Sequence, residues 1–309
     1  MYRPETALSH KIQVPAFPEF SRFMLEHRKF IRSHAFEFNP MSCEYNFANL
    51  FVWQNACRLS WTVYQDRILI YDGLENRAFM PLGPEISPEG LAELSRDMKK
   101  SGLSGNFCLA PREYIEKFPE IEKYYRIAEE PDHAEYIYET EKLVVLSGVK
   151  LHKKRNLISQ FRHLWPDFKI CMLDENYFEK SLDLCTRMMN RHKPVLPTLV
   201  QEFCAMEKAF ENFDELELEG LVLLADNRIA AFCVFSLSGP MVYDIQFEKS
   251  DPDFKGAAQV INQETARYLQ RRCRFLNREQ DLGIKGLRQA KMSYEPLKLI
   301  TPYSLVFIC

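Results

Sequence analysis

The hydrophobic pattern of this 309-residue chain changes period repeatedly, and each change predicts an element. In SCEYNFANLFVWQN apolar residues recur at helical spacing: Cys43, Phe47, Leu50 and Gln54 share a face, and Ser42 stands where a cap belongs. Alternation takes over in WTVYQDRILIYDG and RAFMPLG, which predict a strand meander with turns at Gln65-Asp66 and Asp72-Gly73. Pro88 to Ser101 returns to helical period with Leu91, Leu94 and Met98 inward, and Asn106 to Leu109 is a strand. Pro111 opens a further helix from the N1 position, which tolerates proline. The acidic AEEPDHAE and the YETEK segment read as connectors, so a domain boundary is expected near Gly148, dividing residues 1–148 from 149–309.

The second half continues the pattern. Asp167 to Leu173 predicts a strand, and Asp174 caps a helix with Phe178, Leu182, Cys185 and Met189 on one face. Thr198 and Gln201 form a capping-box pair ahead of a helix burying Leu199, Phe203, Met206 and Phe210. Strands follow at Glu217–Ala225, Arg228–Leu237 and Met241–Phe247, joined by Asp226-Asn227 and Ser238-Gly239-Pro240 turns. A helix from Gly256 to Arg272, a short strand Phe275–Asn277, a helix Gly283–Ser293 ended by Pro296, and an apolar strand close the chain.

That order, β-α-α-β-β-β-α-β-α-β, matches the GNAT acyltransferase fold, with Met241–Phe247 and Phe275–Asn277 as the parallel pair that splays around an acyl donor. The intervening helix should open on backbone N–H groups that hold a pyrophosphate. In DPDFKGAAQ that loop keeps one glycine, Gly256, as the candidate cofactor-binding residue, but not the basic multi-glycine loop of acetyl-CoA users.

Polar residues at a strand's carboxyl end sit where open α/β sheets build their sites. Here Asn277, Arg278, Glu279, Gln280 and Asp281 occupy that place. Arg278 suits a carboxylate or phosphate, and Glu279 or Asp281 suits an α-ammonium group or the role of base. The plainer reading makes Asp281 a helix cap and Arg278–Glu279 a surface pair. Leu287, Lys291 and Tyr294 share one helix face, which offers Lys291 for an oxyanion and Tyr294 as proton donor to a leaving hydroxyl. Against that stands a snorkelling lysine beside a core tyrosine. Asp244, Gln246 and Glu248 alternate on one face of their strand, opposite Tyr243, Ile245 and Phe247, and line either a cleft or an exposed sheet face.

Composition narrows the class. The chain is 46% hydrophobic and 27% charged with a net charge of -3, which fits a globular protein and excludes a globally basic nucleic-acid binder. Nine scattered cysteines without a C-x-x-C pair point to free thiols in a reducing cytoplasm. The start, MYRPETALSHKIQVPAF, lacks the apolar core of a leader, and no apolar run reaches membrane-spanning length. There is no G-x-S-x-G, P-loop or histidine metal spacing. Charge is uneven, however: Lys142 to Pro166 contains no acidic residue while Lys150, Lys153, Lys154, Arg155 and Arg162 crowd together. That run is either a phosphate-binding patch or a solvated face backed by Leu157, Phe161 and Leu164.

Three segments carry a family resemblance: EYNFANLFVWQ (Glu44 to Gln54), HKKRNLISQFRHLWPDF (His152 to Phe168) and LNREQDLGIKGLRQAKMSYEP (Leu276 to Pro296). They resemble a bacterial family of uncharacterised proteins related to the C-terminal domain of phosphatidylglycerol lysyltransferases. The resemblance implies an α/β fold of two tandem GNAT-like domains, similar to the Fem-class peptidoglycan aminoacyltransferases. Such relatives move an amino acid from aminoacyl-tRNA to a lipid or peptide acceptor. Lys153, Lys154, Arg155 and Asn156 match the basic K-x-R-N stretch of the lysyltransferases. Lys291 falls where they carry a lysine ahead of a C-terminal segment seen here as Pro296 to Tyr303. NREQDLGIKGLR departs from their sequence, and their membrane-spanning half has no counterpart here.

The expectation is therefore a cytoplasmic aminoacyltransferase with aminoacyl-tRNA as donor, no bound cofactor required, and a lipid-linked, peptide or small amine or hydroxyl acceptor. Lys291, Tyr294 and Glu279 are its candidate catalytic residues. Lys153, Lys154, Arg155, Asn156, Asn277, Arg278, Asp281, Asp244 and Gln246 are its candidate substrate-binding residues. The alternatives are an acyl-CoA N-acyltransferase and a non-catalytic binding or regulatory protein on the same fold.

Overall fold

The computed structural model describes residues 13–38, 41–191, 194 and 196–308. Residues 1–12, read above for a leader, lie outside them, as do Cys309 and part of the loop ahead of Pro197. The first half runs α1 (Arg28–Phe38), α2 (Phe47–Trp53), β1 (Leu59–Tyr64), β2 (Arg67–Asp72), β3 (Arg77–Phe79), α3 (Pro88–Lys100), β4 (Phe107–Ala110), α4 (Arg112–Lys117), β5 (Tyr125–Glu129), β6 (Glu135–Glu139) and α5 (Thr140–Val145). The second half runs α6 (His152–Leu164), β7 (Lys169–Met172), α7 (Glu175–Met189), α8 (Pro197–Glu211), β8 (Glu219–Ala225), β9 (Arg228–Gly239), β10 (Val242–Ser250), α9 (Ala257–Leu269), β11 (Phe275–Asn277), α10 (Lys285–Met292), β12 (Lys298–Ile300) and β13 (Tyr303–Phe307).

Among the described residues the strands form two sheets, ordered β1-β2-β3-β4-β13-β5 and β12-β6-β11-β10-β9-β8-β7. The two share one plan. In the first, β1, β2 and β3 are antiparallel neighbours and helix α3 crosses over to β4, which lies parallel to β3. In the second, β8, β9 and β10 are antiparallel neighbours and α9 crosses over to β11, parallel to β10. A crossover helix is what two parallel neighbours require. The fold is thus a tandem of GNAT-like units.

The last strands of the two units are exchanged. β13, from the end of the chain, inserts antiparallel between β4 and β5. β6, from the first half, inserts antiparallel between β11 and β12. Sheet membership therefore crosses Gly148 in both directions, and a cut there would part hydrogen-bonded strands. The YETEK connector is corrected by the same pairing: Glu135–Glu139 is a central strand and Thr140–Val145 a helix. Its alternation is absent because a strand covered on both faces buries consecutive residues, here Glu135 to Tyr138.

Three further expectations change. The Ser42–Gln54 helix breaks at Asn46, which caps α2 by accepting from the Ala48 N–H, while Cys43–Tyr45 forms a separate 3-10 turn. The Thr198–Gln201 capping box does not form, since Leu196 is the N-cap and Pro197 begins α8 without a side-chain cap. Pro111 is likewise the N-cap of α4 rather than its first residue.

One hydrophobic core joins the two units. Trp61, Ile68, Ile70 and Phe79 of the first sheet and Val222, Phe232, Val234 and Phe247 of the second pack into the same cluster, with Ile31 of α1 and Leu50 of α2 between them. A second core lies on the other face of the second sheet under α5, α6 and α9, and a third under α3. α2 is thereby a helix of the first unit fixed against the second. Lys208 of α8 holds its end by donating to the Phe51 carbonyl at 2.6 Å.

Candidate functional site

The parallel pairing of β10 with β11 spans only Val242–Asp244 against Phe275–Asn277, whereas β10 continues to Ser250. Beyond Asn277 the chain leaves β10 as a loop turning through positive φ at Glu279 (54°), Leu282 (51°) and Gly283 (74°). The gap so opened is the splay expected of this fold. Side chains of opposite charge collect on its two sides.

A bulge in β10 decides which residue faces which way. The register with β9 shifts between Ile245 and Phe247, so the simple alternation of Asp244, Gln246 and Glu248 does not hold. Asp244 and Gln246 face α2 together with Phe247. Glu248 emerges on the α9 side, where Asn262 donates to it at 3.2 Å.

The α2 side is acidic. Asp244, fully buried, accepts from Asn46 Nδ2 at 2.9 Å and Ser238 Oγ at 2.8 Å. Glu279 accepts from Asn49 Nδ2 at 2.7 Å, and its N–H donates to Asn277 Oδ1 at 2.8 Å. Glu44 accepts from Gln280 Nε2 at 2.7 Å. Glu135 closes the group, accepting from Ser42 Oγ at 2.6 Å, the Cys43 N–H at 2.8 Å and Asn277 Nδ2. Gln246 Nε2 donates to Ser236 Oγ at 2.5 Å and leaves its Oε1 buried without a partner. Burial raises three of the carboxyls: Asp244 and Glu279 lie well above the usual range, and Glu44 is pushed up to about 8 by burial and then by the charge of Glu135. Near neutral pH this wall stores protons. An arriving ammonium group would compensate carboxylate charge and draw those acids toward their ionised form.

Lys291 stands beneath the loop rather than beside a vacant oxyanion position. Its Nζ donates to the carbonyls of Arg278 at 2.6 Å, Glu279 at 3.1 Å and Gln280. All three of an ammonium's donors are thereby committed. Burial lowers Lys291 to about 8, opposed by the Glu279 charge. This corrects the oxyanion assignment: Lys291 holds Glu279 in its left-handed conformation.

The α9 side is cationic. Arg278 donates to Glu248 Oε1 at 2.8 Å, bridging the gap, and its guanidinium lies 5.0 Å from the Tyr294 ring centroid. Lys154 Nζ sits 4.2 Å from that same centroid. Tyr294 is 4% exposed, and burial holds its phenol well above the usual value, which makes it a reluctant proton donor.

The remaining candidates divide. Asn277 and Asp281 are fully buried and committed to structure. Asn277 also donates to the Met41 carbonyl at 2.9 Å. Asp281 accepts from Tyr136, from Arg288 at 2.9 and 2.8 Å, and from the Gly283 N–H at 2.9 Å. Arg155 donates to the carbonyls of Leu146 and Gly148, closing the end of α5, and Arg162 pairs with Glu264. Lys153 and Asn156 project from the exposed side of α6, where Leu164 is also exposed, contrary to its expected core position. Only Lys154 of the basic run reaches the gap.

Gly256 is the other correction. It adopts φ 96° as the N-cap of α9, and a Cβ there would meet the Leu157 carbonyl at 2.4 Å and Phe161 Cβ at 3.0 Å. Its glycine serves the close approach of α6, which stands where a pyrophosphate would have to enter. Sequence reasoning also missed Glu44, Asn46, Asn49 and Glu135. The available signal was Glu44, Asn46 and Asn49 interrupting an otherwise apolar helical run.

Comparison with known proteins places this geometry. Residues 36–306 match the family described as phosphatidylglycerol lysyltransferase, C-terminal. The chain belongs to that family. A curated relative, an uncharacterised protein of Mycoplasmoides gallisepticum, is 29% identical over 182 residues, which is 56% of this chain and 56% of that protein, so the match spans about half of the relative's length. A conserved protein of unknown function from Bacteroides thetaiotaomicron superposes with a TM-score of 0.86 at 26% identity, covering 94% of this chain and 99% of that one. The L-PGS of Bacillus licheniformis superposes at 0.64 with 14% identity, covering 96% and 93%, a likeness of fold. Among the described residues no helix of this family member is long and apolar enough to cross a membrane, and no group of His, Cys, Asp or Glu is arranged to hold a metal. The described cysteines are free thiols.

Proposed function

We propose that this chain is an aminoacyltransferase that takes its amino acid from aminoacyl-tRNA. One observation carries the reading: the gap beyond Asp244 and Asn277 has proton-storing carboxyls on one side and cations on the other. An aminoacyl ester has matching polarity, with an ammonium group at one end and a phosphodiester chain at the other. In this reading Glu44 and Glu279 face the amino group, and the ester carbonyl lies at the loop. The acceptor's amine or hydroxyl forms a bond to the carbonyl carbon while the bond to the ribose oxygen breaks. The proton leaving the nucleophile passes to ionised Glu279, whose raised affinity for protons suits a base. Glu279 then returns that proton to the departing ribose oxygen, which leaves as a hydroxyl, and holding both substrates in place supplies most of the acceleration.

Two features weigh against acyl-CoA as donor: α6 covers the α9 N-terminus at Gly256, and the Arg278–Glu248 pair spans the space a pantetheine arm would need. The family supports the aminoacyl reading, with a lipid-linked or small amine or hydroxyl acceptor. The test offers the protein tRNA charged with labelled amino acids, in parallel with labelled acetyl-CoA, together with phosphatidylglycerol vesicles or an amine-bearing peptide. Label moving from tRNA to an acceptor, and lost in Glu279→Gln, is expected. Transfer from acetyl-CoA alone would overturn the proposal.

A further inference from the structure

We infer that Lys154, Tyr294 and Arg278 form a phosphate-binding pocket on the α9 side of the gap, separate from the carboxyl wall. The inference rests on the donor reading only for which phosphate arrives, and otherwise on charge and contact.

Two cations share one buried tyrosine. Lys154 Nζ lies 4.2 Å and the Arg278 guanidinium 5.0 Å from its ring centroid, and the Arg278 charge reaches Lys154 strongly enough to lower it. One carboxylate, Glu248, serves that space, and Arg278 Nη2 takes it at 2.8 Å. Glu248 is also bonded by Asn262 at 3.2 Å. Lys154 forms no salt bridge with a carboxylate among the described residues, and its ammonium lies over the tyrosine face. Arg278 Nη1 is sealed from solvent and has no acceptor.

A charged donor left desolvated and unpaired is costly, because it has given up water without gaining an acceptor. Most cations at such places recruit a carboxylate, and across the sheet the same protein carries several. Burial and the neighbouring Arg278 charge both lower Lys154, which is the condition an incoming anion would relieve. A phosphate beside Lys154 would neutralise the ammonium, and a small shift of the Arg278 side chain would give Nη1 an acceptor while Nη2 keeps Glu248. Guanidinium and ammonium together suit a phosphate ester, the first through its planar fork and the second as a point charge. Lys153, exposed on α6 beside Lys154 in sequence, adds a further positive charge to this helix, whereas Lys150, ahead of α6, pairs with Glu295 at 2.8 Å.

Two sources could supply that phosphate, the 3′ end of a tRNA or a nucleotide coenzyme, and the experiment separates them. Binding of the trinucleotide CCA, coenzyme A, inorganic phosphate and uncharged adenosine is measured by calorimetry on the wild type and on Lys154→Met. Methionine keeps an unbranched stem over the Tyr294 ring, and Lys154 has no ion pair among the described residues to lose, so the variant should fold; a thermal melt checks this. Phosphate and at least one of the two phosphate esters should bind the wild type, adenosine should bind far more weakly, and Lys154→Met should lose about tenfold or more in affinity. CCA preferred over coenzyme A would identify the source as tRNA. The reverse preference would keep the pocket and displace the donor reading. Equal binding by wild type and Lys154→Met, or no binding of any phosphate at millimolar concentration, would overturn the pocket even if aminoacyl transfer is observed.

Discussion

Replacing Glu44 by glutamine tests the acidic wall without reference to any substrate. Its carboxyl is raised from an ordinary 4.5 to about 8, because burial and the Glu135 charge disfavour the anion more than Arg77 and the Gln280 hydrogen bond favour it. Between those two values the folded protein binds a proton that the unfolded chain has released, so stability falls as pH rises across the window and levels off above it. Each unit is worth about 1.4 kcal/mol, so the full shift would be about 5 kcal/mol. Relaxation and partial exposure reduce this to roughly 2–3 kcal/mol. Glutamine copies the neutral acid in shape and still accepts from Gln280. Glu44→Gln should therefore match the wild type at pH 5 and exceed it at pH 8.5 by roughly 2–3 kcal/mol. Urea unfolding followed by tryptophan fluorescence at several pH values measures the difference. Parallel stability curves for the two proteins would refute the reasoning, since they would mean that Glu44 ionises as freely in the fold as outside it.

Gly256→Ala should lose about 2–4 kcal/mol of unfolding free energy, through the positive φ and the overpacking against α6. A loss under about 1 kcal/mol in urea unfolding would show that the helices are not in tight contact there. Lys291→Met should cost about 2–4 kcal/mol by leaving three loop carbonyls without their donor, and should raise hydrogen exchange across residues 278–284. Unchanged exchange would contradict its role as the loop clamp. Binding of tRNA should weaken steeply with salt, and replacing Lys150, Lys153 and Lys154 together by alanine should reduce the log–log slope by about 2. A slope unaffected by the three replacements would place the nucleic-acid contact elsewhere.

Local physics made much of the second unit readable. The helical period of α7 and α9, the tight turn at Asp226-Asn227 and the short strand at Phe275–Asn277 are written in neighbouring residues, and the parallel pairing expected of β10 and β11 is present. The gap between them and the polar residues at its mouth follow from that order. The exchanged strands did not show. β6 carries five residues whose burial is set by partners more than 130 positions away, from β11 onward, so no local alternation marks it.

The sequence alone determined the family, the tandem fold, and the segments from which a site would be built. Those depend on period, turn residues and motif. Tertiary structure alone decided what each polar residue does, because charge, burial and hydrogen bonding are properties of neighbours in space. Lys291 and Lys154 illustrate the difference. Both are lysines in helical segments of basic character, yet one has every donor taken by loop carbonyls and the other lies over an aromatic ring with no carboxylate partner among the described residues. Likewise Glu44, unremarked in an apolar helical run, becomes a proton-holding acid chiefly because the fold buries it, and then because Glu135 arrives beside it on an exchanged strand.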